Sequence, residues 1–146
     1  MAEAVISIAR TQAALTTVTI KRVNHLLNYA ASHPCNCIIY EASDMILAAQ
    51  SDASFQSIPG SRSKAGGAYY FANKKDPPTK NNGLIGVYSR IISVVCGSAS
   101  DAEYAALFAI VQLVYFYRIV AEACGYPQSN PSPIYVANAV ALSSAA

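Results

Sequence analysis

A long apolar helix signal over residues 98–123 constrains the fold of this chain more than any other feature. Ser98 or Ser100 can serve as the N-cap residue. Asp101 and Glu103 fall in the first turns, where the helix dipole favours acidic groups. Gly125 follows as the kind of residue that ends a helix. A helix of this length needs a large apolar surface to pack against, so it predicts a layered fold.

The composition leaves a membrane protein open, because 53% of the residues are hydrophobic and 12% are charged, about half the charged share of a typical soluble domain. It excludes a disordered chain. Residues 104–117 form the membrane candidate, since they are apolar apart from Gln112. A membrane span needs about 20 apolar residues, and this run is shorter. We therefore predict a helix buried on most of its surface between a sheet and other helices, with an integral membrane fragment as an alternative.

Five β-prone runs accompany this helix, at residues 37–40, 45–55, 65–71, 84–95 and 134–136. Polar residues 41–44 predict that the first two runs form a hairpin. Proline, glycine, serine and asparagine predict loops at residues 58–64 and 74–83. The last run follows the helix, and a strand that returns after a helical crossover usually runs parallel to a central strand. The order predicts a mixed sheet in an α/β fold.

The first part of the chain, residues 1–33, is predicted to be helical, with a polar interruption at residues 16–19. Pro34 ends this helix, because the residue before a proline disfavours the helical conformation. We therefore divide the chain into residues 1–34 and 35–146. The second helix has an apolar face at the spacing of a helix, formed by Ile20, Val23, Leu26, Leu27 and Ala30.

Charge and cysteine content exclude few functions. The formal net charge of +2 is too small to indicate nucleic-acid binding by itself. Cys35 and Cys37 form the one close cysteine pair, and neither histidine lies at a usual zinc-ligand spacing from them. We expect reduced thiols, no signal peptide and an intracellular location, in the cytoplasm or nucleus.

Two carboxylates and one strand end indicate possible chemistry. Asp52 ends an apolar strand, Glu103 lies in the first turns of the long helix, and residues 135–138 end the last strand. In nucleases that use two metal ions, carboxylates from neighbouring strands and a helix converge on the ions. Mg²⁺ prefers oxygen ligands, and two ions about 4 Å apart clamp the attacking water and the leaving oxygen.

Four segments carry a family resemblance, in the order residues 51–55 (SDASF), 61–67 (SRSKAGG), 98–107 (SASDAEYAAL) and 133–138 (PIYVAN). Together they resemble the ribonuclease H domain of Ty1/copia-type retroelement polyproteins. Residues 22–31 (RVNHLLNYAA) look like the segment that joins the reverse transcriptase to that domain. The resemblance covers nearly the whole chain and rests on the order and spacing of the segments.

The resemblance implies a ribonuclease H-like fold, an N-terminal helical connection segment, and cleavage of the RNA strand of RNA–DNA hybrids with Mg²⁺ or Mn²⁺. Asp52 matches the first catalytic aspartate of the family and a metal ligand. Glu103 matches its helix glutamate, and Asp101 the acidic residue that often precedes it. The implied partners are an RNA–DNA hybrid or another nucleic acid, and the reverse transcriptase portion of the same polyprotein, but no membrane.

Three further residues are expected to contact nucleic acid, namely Arg62 and Lys64, in the loop before the second strand of the domain, and Asn138, at the end of the last strand. Basic side chains there would meet backbone phosphates, which carry no sequence information.

The sequence departs from the family at Ala137, where the family has an aspartate. A methyl group cannot bind Mg²⁺. The fourth acidic position of the family would lie beyond Ala146, so the domain is expected to be truncated at its C-terminus. Two of four metal-binding carboxylates are then missing. We expect an impaired or inactive nuclease, or a non-catalytic remnant that is structural or binds nucleic acid.

Overall fold

The computed structural model describes residues 1–74 and 82–136. The chain divides into two compact units, Met1–Ile38 and Ile39–Ala146. We refer to them as the N-terminal unit and the sheet unit. The boundary expected after Pro34 lies four residues before the division between the units.

The N-terminal unit contains two helices, α1 (Ala2–Ala9) and α2 (Thr17–Ser32). The Thr16 hydroxyl accepts a hydrogen bond from the Thr19 backbone N–H at 3.2 Å and caps α2. The polar residues expected to interrupt a helix therefore begin one, and the break between the helices precedes them. The backbone N–H of His33 bonds to the last turn and closes α2.

The apolar face expected on α2 is only partly covered. Val23, Leu26 and Ala30 are half-buried, whereas Ile20 and Leu27 remain 56% and 60% exposed. The helical spacing was therefore predicted correctly, but this face is not a core.

The sheet unit contains β1 (Ile46–Ile58), β2 (Arg62–Ala72), β3 (Leu84–Ile91), α3 (Ala99–Ala123) and β4 (Ile134–Val136). The strand order is β3-β2-β1-β4. Strands β1, β2 and β3 pair antiparallel, and β4 pairs parallel to β1. The structure thus confirms a mixed sheet with helical flanking in an α/β architecture, and a parallel return strand after the long helix.

The hairpin expected from residues 37–40 and 45–49 is wrong, because residues 38–45 form no strand. Strand β1 is central and has β2 and β4 as its neighbours, so residues 37–40 do not take a place beside it. Side chains hold this segment instead. The Tyr40 hydroxyl donates to Leu84 O at 3.0 Å. The Asn82 amide bonds to both the N–H and the C=O of Glu41, at 2.8 and 2.9 Å.

Two predicted strand limits also change. The loop expected at residues 58–64 shrinks to a turn in which Gly60 and Ser61 adopt φ of 81° and 54°. Strand β3 ends at Ile91 rather than at residue 95, because its pairing with β2 ends there. Val95 is fully exposed. Most of the loop expected at residues 74–83 lies outside the described residues.

The core of the sheet unit lies between α3 and one face of the sheet. Leu47, Ala49 and Tyr69 pack against Ile110 and Val114. At Gly67, an added Cβ would lie 2.1 Å from Cδ1 of Ile110, so this glycine permits the helix to approach the sheet closely. Of the two serines expected as caps, Ser98 caps α3, because its hydroxyl accepts a hydrogen bond from the Asp101 N–H at 3.1 Å.

The prediction that α3 is buried on most of its surface is wrong. Only the face toward the sheet is buried, and the outward face exposes Tyr104, Phe108 and Tyr115 by 51%, 61% and 68%. By length and composition, α3 alone among the described helices is apolar enough to cross a membrane, a property shared by core helices of soluble proteins. Its packing against the sheet explains the apolar inner face.

Two side chains fix the connection between α3 and β4. Gln128 is buried, accepts a hydrogen bond from the Leu47 N–H at 3.0 Å and donates to Met45 O at 2.7 Å. The Arg118 guanidinium donates to the backbone of Asn130 at 2.8 Å and to the same loop at Gln128 O. The connection is thereby joined to the beginning of β1.

Candidate active site

The expectation that Asp52 ends a strand is wrong, because Asp52 lies in the middle of β1, where it pairs with Gly66 of β2. Its side chain is exposed. Two residues further along, Ser54 pairs with Lys64. Because paired residues and residues two apart project to the same face of a sheet, Asp52 and Lys64 share one face, about 7 Å apart along the strands.

Glu103 lies near the N-terminus of α3 and is 7% exposed. Its carboxylate accepts a hydrogen bond from the backbone N–H of Ala53, the residue after Asp52. Strand β4 pairs with β1 as far as Ser51, so this contact lies just beyond the last described pairing with Val136. Helix α3 therefore places the Glu103 carboxylate against the backbone of β1 at Ala53, the residue after Asp52.

The surroundings of Glu103 favour its neutral form. Burial raises the pKa of this carboxyl group, and the negative charge of Asp52 raises it further. The hydrogen bond from Ala53 opposes both effects and lowers the pKa, with a smaller influence. Asp52 is near enough to raise this pKa, but alternation along β1 turns its side chain to the sheet face opposite Ala49 and α3.

Two buried polar atoms at this place have no hydrogen-bond partner within the described chain. They are Oε2 of Glu103 and the hydroxyl oxygen of Ser51. Ser51 is 3% exposed and immediately precedes Asp52. Unpaired buried polar atoms cost stability and call for an explanation. Sequence reasoning missed Ser51, and the available signal was a hydroxyl among the alternate positions 47, 49, 51 and 53 of β1, which are otherwise apolar.

These residues do not supply the ligands that two metal ions need. No group of three or more His, Cys, Asp or Glu side chains in residues 1–74 and 82–136 is placed to hold a metal ion. Asp101 is exposed and accepts a hydrogen bond from the Gly97 N–H at 3.0 Å, in the loop before α3. Ala137 and Asn138 lie outside the described residues. Two carboxylates fit a proton or one cation, but not a two-ion centre.

The structure places Arg62 and Lys64 within β2 rather than in the loop expected before it. The β1–β2 turn is shorter than predicted, since the strand pairing continues to Ile58 and Arg62. Arg62 is exposed and Lys64 is half-buried. Alternation along β2 puts both on the face that carries Asp52.

The four cysteines are free thiols, and only Cys96 is buried. The chain matches no protein-family model, no curated protein and no solved structure. The resemblance to retroelement ribonuclease H domains therefore stays a prediction.

Proposed function

We propose that the sheet unit is a ribonuclease H-like domain derived from a Ty1/copia-type retroelement, and that its metal-dependent hydrolysis of the RNA strand of RNA–DNA hybrids is impaired or lost. The observation that carries this proposal is the buried carboxylate of Glu103 on α3, which reaches the backbone of β1 at Ala53, next to Asp52. A mixed sheet with one long helix crossing between β3 and β4 is compatible with such a fold.

The burial of Glu103 supports a site that once had a function. A buried carboxylate with an unpaired oxygen destabilises a fold, so a purely structural helix would gain by replacing it. The position of Ala137, one residue after the described end of β4, supports the loss of activity. Because alanine has no side-chain oxygen, only Asp52 and Glu103 remain where the family uses a larger set of metal-binding carboxylates.

A non-catalytic domain that binds nucleic acid is the alternative within the same fold. Arg62 and Lys64 on the face of Asp52 support it, because cationic side chains on one sheet face meet successive phosphates of a duplex. In that case the partners are an RNA–DNA hybrid and the reverse transcriptase portion of a polyprotein, inside the cell.

The test is cleavage of a hybrid whose RNA strand carries a fluorescent label, with Mg²⁺ or Mn²⁺, by the full chain and by Asp52→Asn. We expect no cleavage above that of Asp52→Asn with either ion. Robust cleavage that Asp52→Asn abolishes would contradict the loss of activity and support an intact nuclease.

The same labelled hybrid tests binding by fluorescence anisotropy. Arg62→Ala should weaken binding severalfold and reduce the salt dependence by about one phosphate contact. Arg90→Ala is the matched control, because Arg90 pairs with Ala65 and so lies on the opposite face from Lys64. Absence of any hybrid binding, or equal effects of the two substitutions, would refute the nucleic-acid face.

A further inference from the structure

The N-terminal unit contains an apolar groove between α1 and α2, with a volume of about 570 Å³. Its apolar walls include Ala4 and Ile8 of α1 and Val18, Leu26 and Tyr29 of α2. Val18 is 57% exposed and Tyr29 is 42% exposed. The groove therefore presents accessible apolar surface in a recess and not on a convex face.

The groove is also basic. Lys21, Arg22 and His25 line it, and no lining residue is acidic. Lys21 and Arg22 have no hydrogen-bond or ion-pair partner within residues 1–74 and 82–136. Three of the ten lysines and arginines but one of the eight acidic residues lie in Met1–Ile38, so this unit carries the whole formal charge of +2.

The unit has almost no core of its own, since Thr19 is its only buried residue. Chains of about this size rarely fold stably without a disulfide, a metal or a partner, because they bury too little apolar surface. An occupant of the groove would supply the burial that the two helices lack.

The dimensions of the groove suit a helix. The α2 residues that line it run from Val18 to Tyr29 at spacings of three and four, which corresponds to about 16 Å or three turns. A helix that lays apolar anchors into such a groove is a common mode of peptide recognition.

We propose that the α1–α2 groove binds an amphipathic helix of a partner protein, with its apolar face in the groove and carboxylates on its flank facing Lys21 and Arg22. The charge of the lining selects an acidic partner. The recess selects a helix over a lipid surface, because a flat membrane cannot fill a concave groove. This inference does not depend on the chemistry of Asp52 and Glu103.

The test uses the full chain and a synthetic 14-residue helical peptide, fluorescently labelled, with leucines at i, i+3, i+7 and i+10 and glutamates beside them. The matched peptide replaces every glutamate with lysine. Anisotropy titration should show that the glutamate peptide binds about tenfold more tightly, the preference that two surface ion pairs supply together. The double variant Lys21→Glu with Arg22→Glu should reverse the preference.

The control variant, Lys74→Glu with Arg90→Glu, makes the same charge change at exposed positions of the sheet unit and should leave both affinities unchanged. Circular dichroism checks that the variants keep their helices. With the wild-type chain alone, raising the salt concentration from 50 to 500 mM should weaken binding of the glutamate peptide severalfold by screening.

Three results of the peptide titrations would overturn the proposal. They are equal affinity for the two peptides, binding that the Lys21 and Arg22 changes do not affect, and displacement of the peptide by vesicles of anionic lipid. A concentration-dependent dimer that Lys21→Glu dissociates would also overturn it, in favour of a second copy of the chain as the occupant.

Discussion

The two units carry similar helical patterns and reach different outcomes. Helix α2 buries one residue, Thr19, whereas α3 buries six. Both sequences place apolar residues at helical spacing, but α3 has a sheet within its own unit to pack against and α2 has one short helix. Periodicity therefore indicates which face of a helix is apolar, and the neighbouring elements decide whether that face becomes a core.

The charges follow the same division. The N-terminal unit carries +2, while the rest of the chain has seven residues of each sign. The sheet unit therefore depends on apolar burial for its stability, and the N-terminal unit offers a basic surface to something else.

The largest expected effect tests this contrast with two leucines. Leu47 is fully buried and Leu27 is 60% exposed. Leu47→Ala should lower the free energy of unfolding by about 2–5 kcal/mol through lost burial and a cavity, whereas Leu27→Ala should change it by less than about 0.5 kcal/mol. Urea unfolding followed by circular dichroism measures both. A comparable loss for Leu27→Ala would show that α2 belongs to a core in solution.

The second prediction compares neighbouring glycines of β2. A Cβ at Gly67 would lie 2.1 Å from Cδ1 of Ile110, but at Gly66 its nearest neighbour is Asp52 O at 3.7 Å. Gly67→Ala should therefore cost about 1–3 kcal/mol by pushing α3 from the sheet. Thermal unfolding of the two variants checks this. Equal midpoints for both would mean that α3 is not seated on Gly67.

The smallest expected effect concerns Glu103, the one charged residue buried in the described chain. Its pKa in the folded state is raised above the ordinary 4.5, so the folded state holds the proton more tightly. That contribution to stability is complete below pH 4.5 and is lost as the pH rises through the folded-state pKa. Glu103→Gln should therefore become more stable than the wild type on going from pH 4 to pH 7, by about 1 kcal/mol.

Urea unfolding at several pH values measures this difference, and Glu122→Gln, on an exposed position of the same helix, is the control. If Glu103→Gln were less stable than the wild type at pH 7, the ionised carboxylate would be stabilising the fold. That result would mean that the hydrogen bond from Ala53, or a bound cation, outweighs the cost of burying the charge.

The elements that the sequence predicted best have strong local signals. Helix α3 begins one residue from the predicted position because Ser98 caps it, and β4 matches because prolines isolate residues 134–136. The hairpin at residues 37–40 failed for a non-local reason. Nothing in that segment shows that β1 takes β2 and β4 as its neighbours instead.

The residues of the candidate site likewise fall into those that a local sequence signal predicted and those that depend on non-local contacts. Residue type and position identified Asp52 and Glu103, and the structure places the Glu103 carboxylate against the backbone of β1 at Ala53, next to Asp52. The hydrogen bond from the Ala53 backbone to Glu103 depends on how far β4 extends along β1, which no local pattern encodes. The Ser51 hydroxyl is buried without a hydrogen-bond partner in the described residues. The sequence could not predict this, because the burial depends on α3 covering the strand.

Gln128 covers part of a strand edge that could otherwise pair with another molecule. Strand β4 pairs with β1 only from Ala49 to Ser51, which would leave the preceding edge of β1 open to a strand from another molecule. The Gln128 amide bonds to Met45 O and to the Leu47 N–H along that edge. One side chain thus forms the hydrogen bonds that a neighbouring strand would form at Met45 and Leu47. These two backbone groups are then not available to a strand of another molecule.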